Sequence, residues 1–403
     1  MLDNLSESIN SQIFTDSLAS YAENLSVSGA VMSILVIFML TGLFDKLRGN
    51  KYGYGERFDA GFQAMGDLAL AVVGIIAASP VLLRLLAPVV TPFYQWLGAS
   101  PAMFPASLLA LDMGGYAMSV QMAQGNAAVG NYGGIIVASM MGITICFTIP
   151  YALTIIDKED HTLFATGVLL GVVTLPLGCL LGGLAMAVTS TPIPWGEMLL
   201  NTFPVICLAV FVGAGLVLRQ NLMLRLFAAF GKGVTFVAAA SPGIAIFQYL
   251  TGIRLPLFYL MVEKDPMLGG VPLEVGLLLV GLIAIVLTGA FPMILFLNRR
   301  LGRLMAKAGE MAGINGEAST GLLTQLASSI PVWSVLGGMN RRGKLLNVAF
   351  AVSGSFVLGD VLAFTGGANP EMVFPVIVAK FSGGILAVML ALLLLKKKIL
   401  NFE

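Results

Sequence analysis

Apolar runs long enough to cross a bilayer recur along this chain at 27–44, 62–87, 101–123, 131–156, 162–188, 197–218, 233–252, 273–298, 318–339, 344–366 and 371–395. A helix rises about 1.5 Å per residue, so about 20 apolar residues traverse a hydrocarbon core of about 30 Å. The runs are continuous rather than alternating, which predicts an all-α polytopic membrane protein and excludes a β-barrel pattern. Composition agrees where it bears on the choice: 58% of residues are hydrophobic and 11% charged, against about 25% charged in a soluble domain. The net charge of +1 gives no reason to expect nucleic acid as a partner. The three cysteines, Cys146, Cys179 and Cys207, all fall in apolar runs. An odd number of buried thiols argues against a disulfide framework.

Two of the eleven runs are interrupted. Run 101–123 is broken by Asp112-Met113-Gly114-Gly115, and each arm of about ten residues reaches about 15 Å, half the core. This predicts a re-entrant hairpin that turns near the midplane and places a carboxylate there. Run 318–339 breaks at Ser328-Ser329, before Pro331. The basic residues decide how to treat both runs. Clusters lie at Lys46, Arg48, Lys51 and Arg57; at Arg219, Arg225 and Lys232; at Arg299, Arg300, Arg303 and Lys307; at Arg341, Arg342 and Lys344; and at Lys396, Lys397 and Lys398. If both interrupted runs are hairpins, all five clusters fall on the cytoplasmic side. The expected architecture is therefore nine transmembrane helices plus two re-entrant hairpins, with the N-terminus outside and the C-terminus inside. The alternative is eleven full spans. One short acidic loop, Asp157 to Asp160, looks misplaced on the inner side.

An internal echo suggests an inverted repeat. LALAVVGIIAASPVLLRLL (68–86) resembles LIAIVLTGAFPMILFLNRR (282–300), and Pro80 matches Pro292. An amphipathic stretch follows each (88–98 and 300–314), then an interrupted run, then two more spans in which Gly142 aligns with Gly354. The expected organisation is a polar N-terminal extension (1–24), a first repeat (25–188), a linker span (189–232), a second repeat (233–395) and a basic tail (396–403). Residues 1–24 lack the positive n-region of a signal peptide.

The inventory disfavours an enzyme. His161 is the one histidine, no HExxH, CxxC, GxSxG or P-loop spacing occurs, and no cofactor or metal is implied. Four ionisable residues fall within spans or hairpins, away from their ends: Asp67, Asp112, Asp360 and Lys380. Each is costly in hydrocarbon, by about 2.5–3.5 kcal/mol on insertion scales, and so should face a cavity or a partner. Asp112 is read as a cation-binding carboxylate or as the cap of the hairpin's second arm. Ser328 and Ser329 occupy the matching tip, as hydrogen-bonding groups or as caps, with Gln325 one turn earlier. Asp360 and Lys380 lie on neighbouring spans, either as an ion pair or with Asp360 facing the cavity and Lys380 tuning it. Asn347 is placed to contact backbone at the second hairpin. Thr144 and Thr148 line the corresponding span unless they bond back to their own helix. Tyr116 and Trp333 offer aromatic faces to a cation. Asp67 either lines the pathway or sits in wet surroundings near the inner face.

Four stretches resemble the ethanolamine permease family, EutH: FDAGFQAMGDLALAVVGIIAASPVL, SLLALDMGGYAM, IIVASMMGITICFTIPYAL and LLNVAFAVSGSFVLGDVLAF. The resemblance runs from about residue 28 to 395. The family pattern has Asn-Asn-Ile-Pro where this chain has Ser328-Ser329-Ile330-Pro331, it does not extend to the N-terminal extension, and no role is carried over from it to Asp67. The resemblance implies uptake of ethanolamine across the bacterial inner membrane. The expected substrate-binding set is Asp112, Asp360, Ser328, Ser329, Gln325 and Asn347. Expected partners are the small amine and membrane lipid; oligomeric state and coupling to H⁺ or Na⁺ are left open. The runner-up readings are a carrier of another small polar metabolite, such as a nucleoside, and a non-transporting scaffold or sensor.

Overall fold

In the computed structural model, which describes residues 11–397, eight helices are long and apolar enough to cross a membrane. A short exposed helix, α1 (Ser11–Glu23), precedes them. Of the expected N-terminal extension residues 1–10 lie outside the described residues, as do residues 398–403 of the basic tail. The first crossing helix, α2 (Val27–Leu47), buries only Ser28, Leu35, Gly42 and Asp45. That spacing, close to two helical turns, puts them on one stripe against the bundle and leaves the other apolar faces outward.

The central part contains the same order of elements twice. In the first half, the long α3 (Tyr54–Trp96) leads into the short α4 (Met103–Leu108), a tight turn (Leu111–Met113) and α5 (Gly115–Met122). Then come α6 (Ala127–Ile155) and α7 (His161–Ala185). After α8 (Trp195–Leu218) and α9 (Gln220–Thr251), the long α10 (Pro272–Ala312) leads into α11 (Gly316–Thr324) and α12 (Ile330–Val335). Then come α13 (Arg341–Gly354), α14 (Asp360–Ala368) and α15 (Val373–Lys396). The most extensive packing is α3 on α10 and α7 on α15. The two expected amphipathic stretches are not separate elements: they continue α3 and α10 as helix.

Hydrogen bonds fix which ends meet. Ser100 N–H donates to Asn201 Oδ1 at 2.7 Å, Asn131 Nδ2 to Thr191 Oγ1 at 3.0 Å, and Asn369 Nδ2 to Asn131 Oδ1 at 3.1 Å. Ser28 Oγ donates to the Glu371 carbonyl at 2.6 Å, and Ser190 donates to the Glu371 carboxylate. Both flanks of the segment carrying Asp112 therefore lie at one end of the bundle. At the other end of α7, about 37 Å away by helix rise, Lys344 Nζ is 2.7 Å from Asp160 Oδ2. Asn315 and Asn340 there donate to the carbonyls of Gly338 and Gly313. Both flanks of the segment carrying Ser328 and Ser329 lie at this end. The acidic loop that looked misplaced has a local explanation: Asp160 pairs with Lys344 of the basic cluster.

Two features depart from the sequence reading. Run 344–366 is not one continuous span: it unwinds between α13 and α14, over 355–359. In α6 the helix widens to π geometry over Tyr132–Gly142 and Thr144–Thr148, a form that is rare at this length and common near functional sites. The cysteines also differ from expectation, since Cys146 and Cys179 are buried but Cys207 is exposed.

Candidate functional site

The first interrupted segment is built by its turn. α4 ends at Leu108, Leu109 and Ala110 run extended, and Gly114 has a φ of +90°, which an L side chain resists. The arms are held together by Ser119 Oγ donating to the Ala102 carbonyl at 3.0 Å. The Ala110 N–H reaches Cys146 Sγ of α6 at 3.1 Å. Asp112 sits in the turn. It does not cap α5, whose N-cap is Gly114 with no side-chain bond. The Asp112 and Met113 N–H groups face its carboxyl, while its Oδ1 is buried without a partner.

The second tip is held by the unwound segment. Phe356 N–H donates to the Gln325 carbonyl at 2.9 Å and Leu358 N–H to the Leu326 carbonyl at 2.8 Å. These bonds absorb carbonyls that would be orphaned where α11 stops. Gly359 packs directly against the Ala327 carbonyl, leaving no room for a Cβ. Phe356 holds a φ of +65°, unusual for a bulky residue, and its ring meets Phe147 edge-on at 5.9 Å. Asp360 is the first residue of α14, two positions after Leu358. The turn carrying Asp112 packs against α14. Both residues keep accessible surface although their neighbours Leu111 and Val361 are almost completely buried.

Around this centre the polar groups are unevenly committed. Gln325 is fully buried: its Nε2 donates to Asn347 Oδ1 at 2.7 Å, and its Oε1 has no partner. Asn347 Nδ2 donates to the carbonyls of Ala318 and Gly343, both at 2.9 Å, so Asn347 clamps α11 and presents Gln325. Ser329 Oγ is buried without a partner, whereas Ser328 Oγ accepts from the Ile330 N–H at 3.3 Å. Thr144 Oγ1 lies 2.7 Å from the carbonyls of both Met140 and Val352, and Thr148 Oγ1 is buried without a partner. The Tyr116 ring meets Phe364 of α14 edge-on at 5.7 Å.

Three residues lie apart. Asp67 is exposed on α3. Lys380 is fully buried but makes no ion pair with Asp360; its Nζ donates to the Ser139 carbonyl at 2.7 Å, within the widened part of α6. Trp333 packs edge-on against Phe164 at 5.9 Å, its Nε1 buried and unpartnered. Sequence reasoning missed the unwound segment at Asp360. Its one signal was the small residues Gly354, Ser355 and Gly359 inside an apolar run.

Comparison with known proteins follows the same residues. The pattern of the family described as "Ethanolamine utilisation protein, EutH" matches residues 27–394. The chain belongs to the EutH family. It is 44% identical over 364 residues to a Listeria monocytogenes protein named "Probable ethanolamine permease EutH", a match covering 90% of this chain and 93% of that one. An Escherichia coli protein of the same name is 36% identical, over 93% of this chain and 97% of its own. A Bacillus subtilis protein, YxeR, is 42% identical over 90% of this chain and 94% of its own. No solved structure matches. The chain is thus a multi-pass, all-α bacterial membrane protein of the EutH family, and α1 precedes the region the family shares.

Proposed function

We propose that the chain is a permease for ethanolamine, carrying the ammonium form by alternating access. What supports this reading is a pair of helix breaks, one holding Asp112 and one preceding Asp360, whose elements pack together, and the buried unpartnered oxygens of Asp112, Gln325 and Ser329. A small cation with one hydroxyl needs a carboxylate for the ammonium and a neutral polar group for the hydroxyl. Buried polar atoms without partners are costly and are the groups a ligand would satisfy. Asn347 acts here by holding Gln325. Tyr116 supports the α14 side of the site through Phe364. The choice of ethanolamine is supported by the relatives named "Probable ethanolamine permease EutH".

In this reading the two interrupted segments are re-entrant hairpins that gate the site from opposite faces, and residues 25–188 and 233–395 form inverted repeats joined by 189–232. The basic clusters support a cytoplasmic Lys344 end and an external Ser28 end. Radiolabelled ethanolamine uptake into proteoliposomes tests the reading. Saturable uptake is expected from the native chain. Asp112→Asn, correctly inserted, is expected to lose at least about 90% of it, from the loss of a charge-assisted bond of about 1.5–3 kcal/mol. Unchanged uptake by that variant removes Asp112 from the site.

A further inference from the structure

We infer that the groove between α6 and α9 binds one anionic phospholipid, its phosphate among Lys158, Arg225 and Lys232 and an acyl chain along Phe147, Tyr151 and Phe236. This goes beyond the permease reading and does not depend on it. Two cavities make the groove. The deeper one, of about 560 Å³, is lined by Phe147, Pro150, Tyr151, Lys232 and Phe236. The other, of about 610 Å³, is lined by Lys158, His161, Gln220 and Arg225. They adjoin, since Leu153 and Ala228 line both. On α9 the lining positions 225, 228, 232, 235, 236 and 239 fall on one helical stripe. The floor is where α9 touches α6: a Cβ on Gly231 would lie 2.4 Å from the Pro150 Cβ. Phe147 and Tyr151 stack at 5.3 Å as a flat apolar wall. The deep end reaches Cys146, whose Sγ takes the Ala110 N–H at 3.1 Å, and Phe147, whose ring meets Phe356 edge-on at 5.9 Å. A chain seated there lies against the supports of both helix breaks.

Charge and depth choose the occupant. No carboxylate lines either cavity. Of the loop carboxylates beside Lys158, Asp160 pairs with Lys344, and Asp157 and Glu159 are exposed. Lys158, Arg225 and Lys232 make no ion pair among the described residues. The Asp160–Lys344 pair also fixes the groove at that end of the bundle. Phe236 and Ala239 lie within the apolar run 233–252, and Lys232 stands at its border. Arg225 precedes Lys232 by about 10 Å of helix rise, comparable to the depth of a headgroup layer. Basic pockets between helices at a membrane border suit lipid phosphates, which Arg and Lys bind by charge-assisted hydrogen bonds. A soluble phosphate gains nothing from the apolar half of the groove. A zwitterionic lipid brings no net charge to match the three cations.

Native mass spectrometry of the full chain tests this, with phosphatidylglycerol or phosphatidylcholine of the same acyl chains titrated in detergent. The expected result is one tightly retained phosphatidylglycerol, with a Kd at least about tenfold below that for phosphatidylcholine. Arg225→Gln combined with Lys232→Gln is expected to remove that preference. Arg303→Gln combined with Lys307→Gln, at exposed positions of α10 near the same end, is expected to keep it. Glycerol phosphate is expected not to displace the lipid. Equal retention of the two lipids by the native chain overturns the inference, and this comparison stands without any variant. A preference that survives Arg225→Gln with Lys232→Gln overturns the location. Equal loss in both double variants also overturns it, by showing only a diffuse basic surface. Displacement by glycerol phosphate overturns the lipid assignment. None of these measurements involves transport, so the lipid site and the permease reading can each fail alone.

Discussion

Asn347 and Lys380 look alike in the sequence, as polar residues inside apolar runs, yet they do opposite work. Asn347 satisfies three hydrogen bonds across α11, α13 and Gln325. Asn347→Ala strands the Ala318 carbonyl and the Gln325 amide in a dry interior. It is expected to cost about 2–3 kcal/mol, read as a lower melting temperature in detergent together with weaker ethanolamine binding. Among the described residues, Lys380 is a fully buried amine whose hydrogen bond is to a carbonyl and which forms no ion pair. Taking a charge out of water is costly, and an apolar residue of similar volume avoids that cost. Lys380→Met is therefore expected to leave the melting temperature unchanged or raised. A drop of several degrees would show that the ammonium is integral to the packing of α6, α7 and α15.

The elements that matter most are those that stop being helix. A continuous helix satisfies its own backbone, as lipid requires, so each interruption must find partners elsewhere. The break between α11 and α12 finds them in 355–359, and the break between α13 and α14 finds them in the carbonyls of Gln325 and Leu326. Each interruption makes the other tolerable, which places Asp360 beside the second tip. Gly359 is the contact point. Gly359→Ala pushes a Cβ into the Ala327 carbonyl and is expected to destabilise the chain by about 1–3 kcal/mol and to reduce uptake. Gly66→Ala, on the exposed side of α3 with nothing within 4 Å, is the matched control and is expected to change neither within about 0.5 kcal/mol. Thermal unfolding and uptake of the two variants, compared side by side, check this.

For the whole molecule, the ordering of ends is the feature that other properties depend on. Ser28, Ser100, Asn131, Thr191 and Glu371 gather at one end, and Asp160, Asn315, Asn340 and Lys344 at the other. A cysteine introduced at the exposed Ala127 and one at Met311, 91% exposed, should therefore react with a membrane-impermeant maleimide from opposite faces. In a Cys207→Ser background, the Ala127→Cys chain is expected to label in intact cells. The Met311→Cys chain is expected to label only after permeabilisation. Labelling of both from the same face would break the arrangement of gates proposed above.

Much of this was legible without coordinates. Hydrophobic length alone sets the helical membrane class, because lipid admits only helices or closed barrels. The Asp-Met-Gly-Gly interruption marked the first turn, since only glycine relieves the backbone at position 114. Asn347 was legible as a residue bonding backbone at the second segment. The unwinding at 355–359 was marked only by the small Gly354, Ser355 and Gly359, because Phe356, Val357 and Leu358 between them continue the apolar run. The separation of Lys380 from Asp360 and the exposure of Asp67 were not legible, because a position along a span does not give the direction a side chain faces. The sequence by itself determined what must lie in the membrane and where its helices weaken. Only the tertiary structure decided which weakened segments meet, because the hydrogen bonds that hold those breaks are made between residues far apart in the chain.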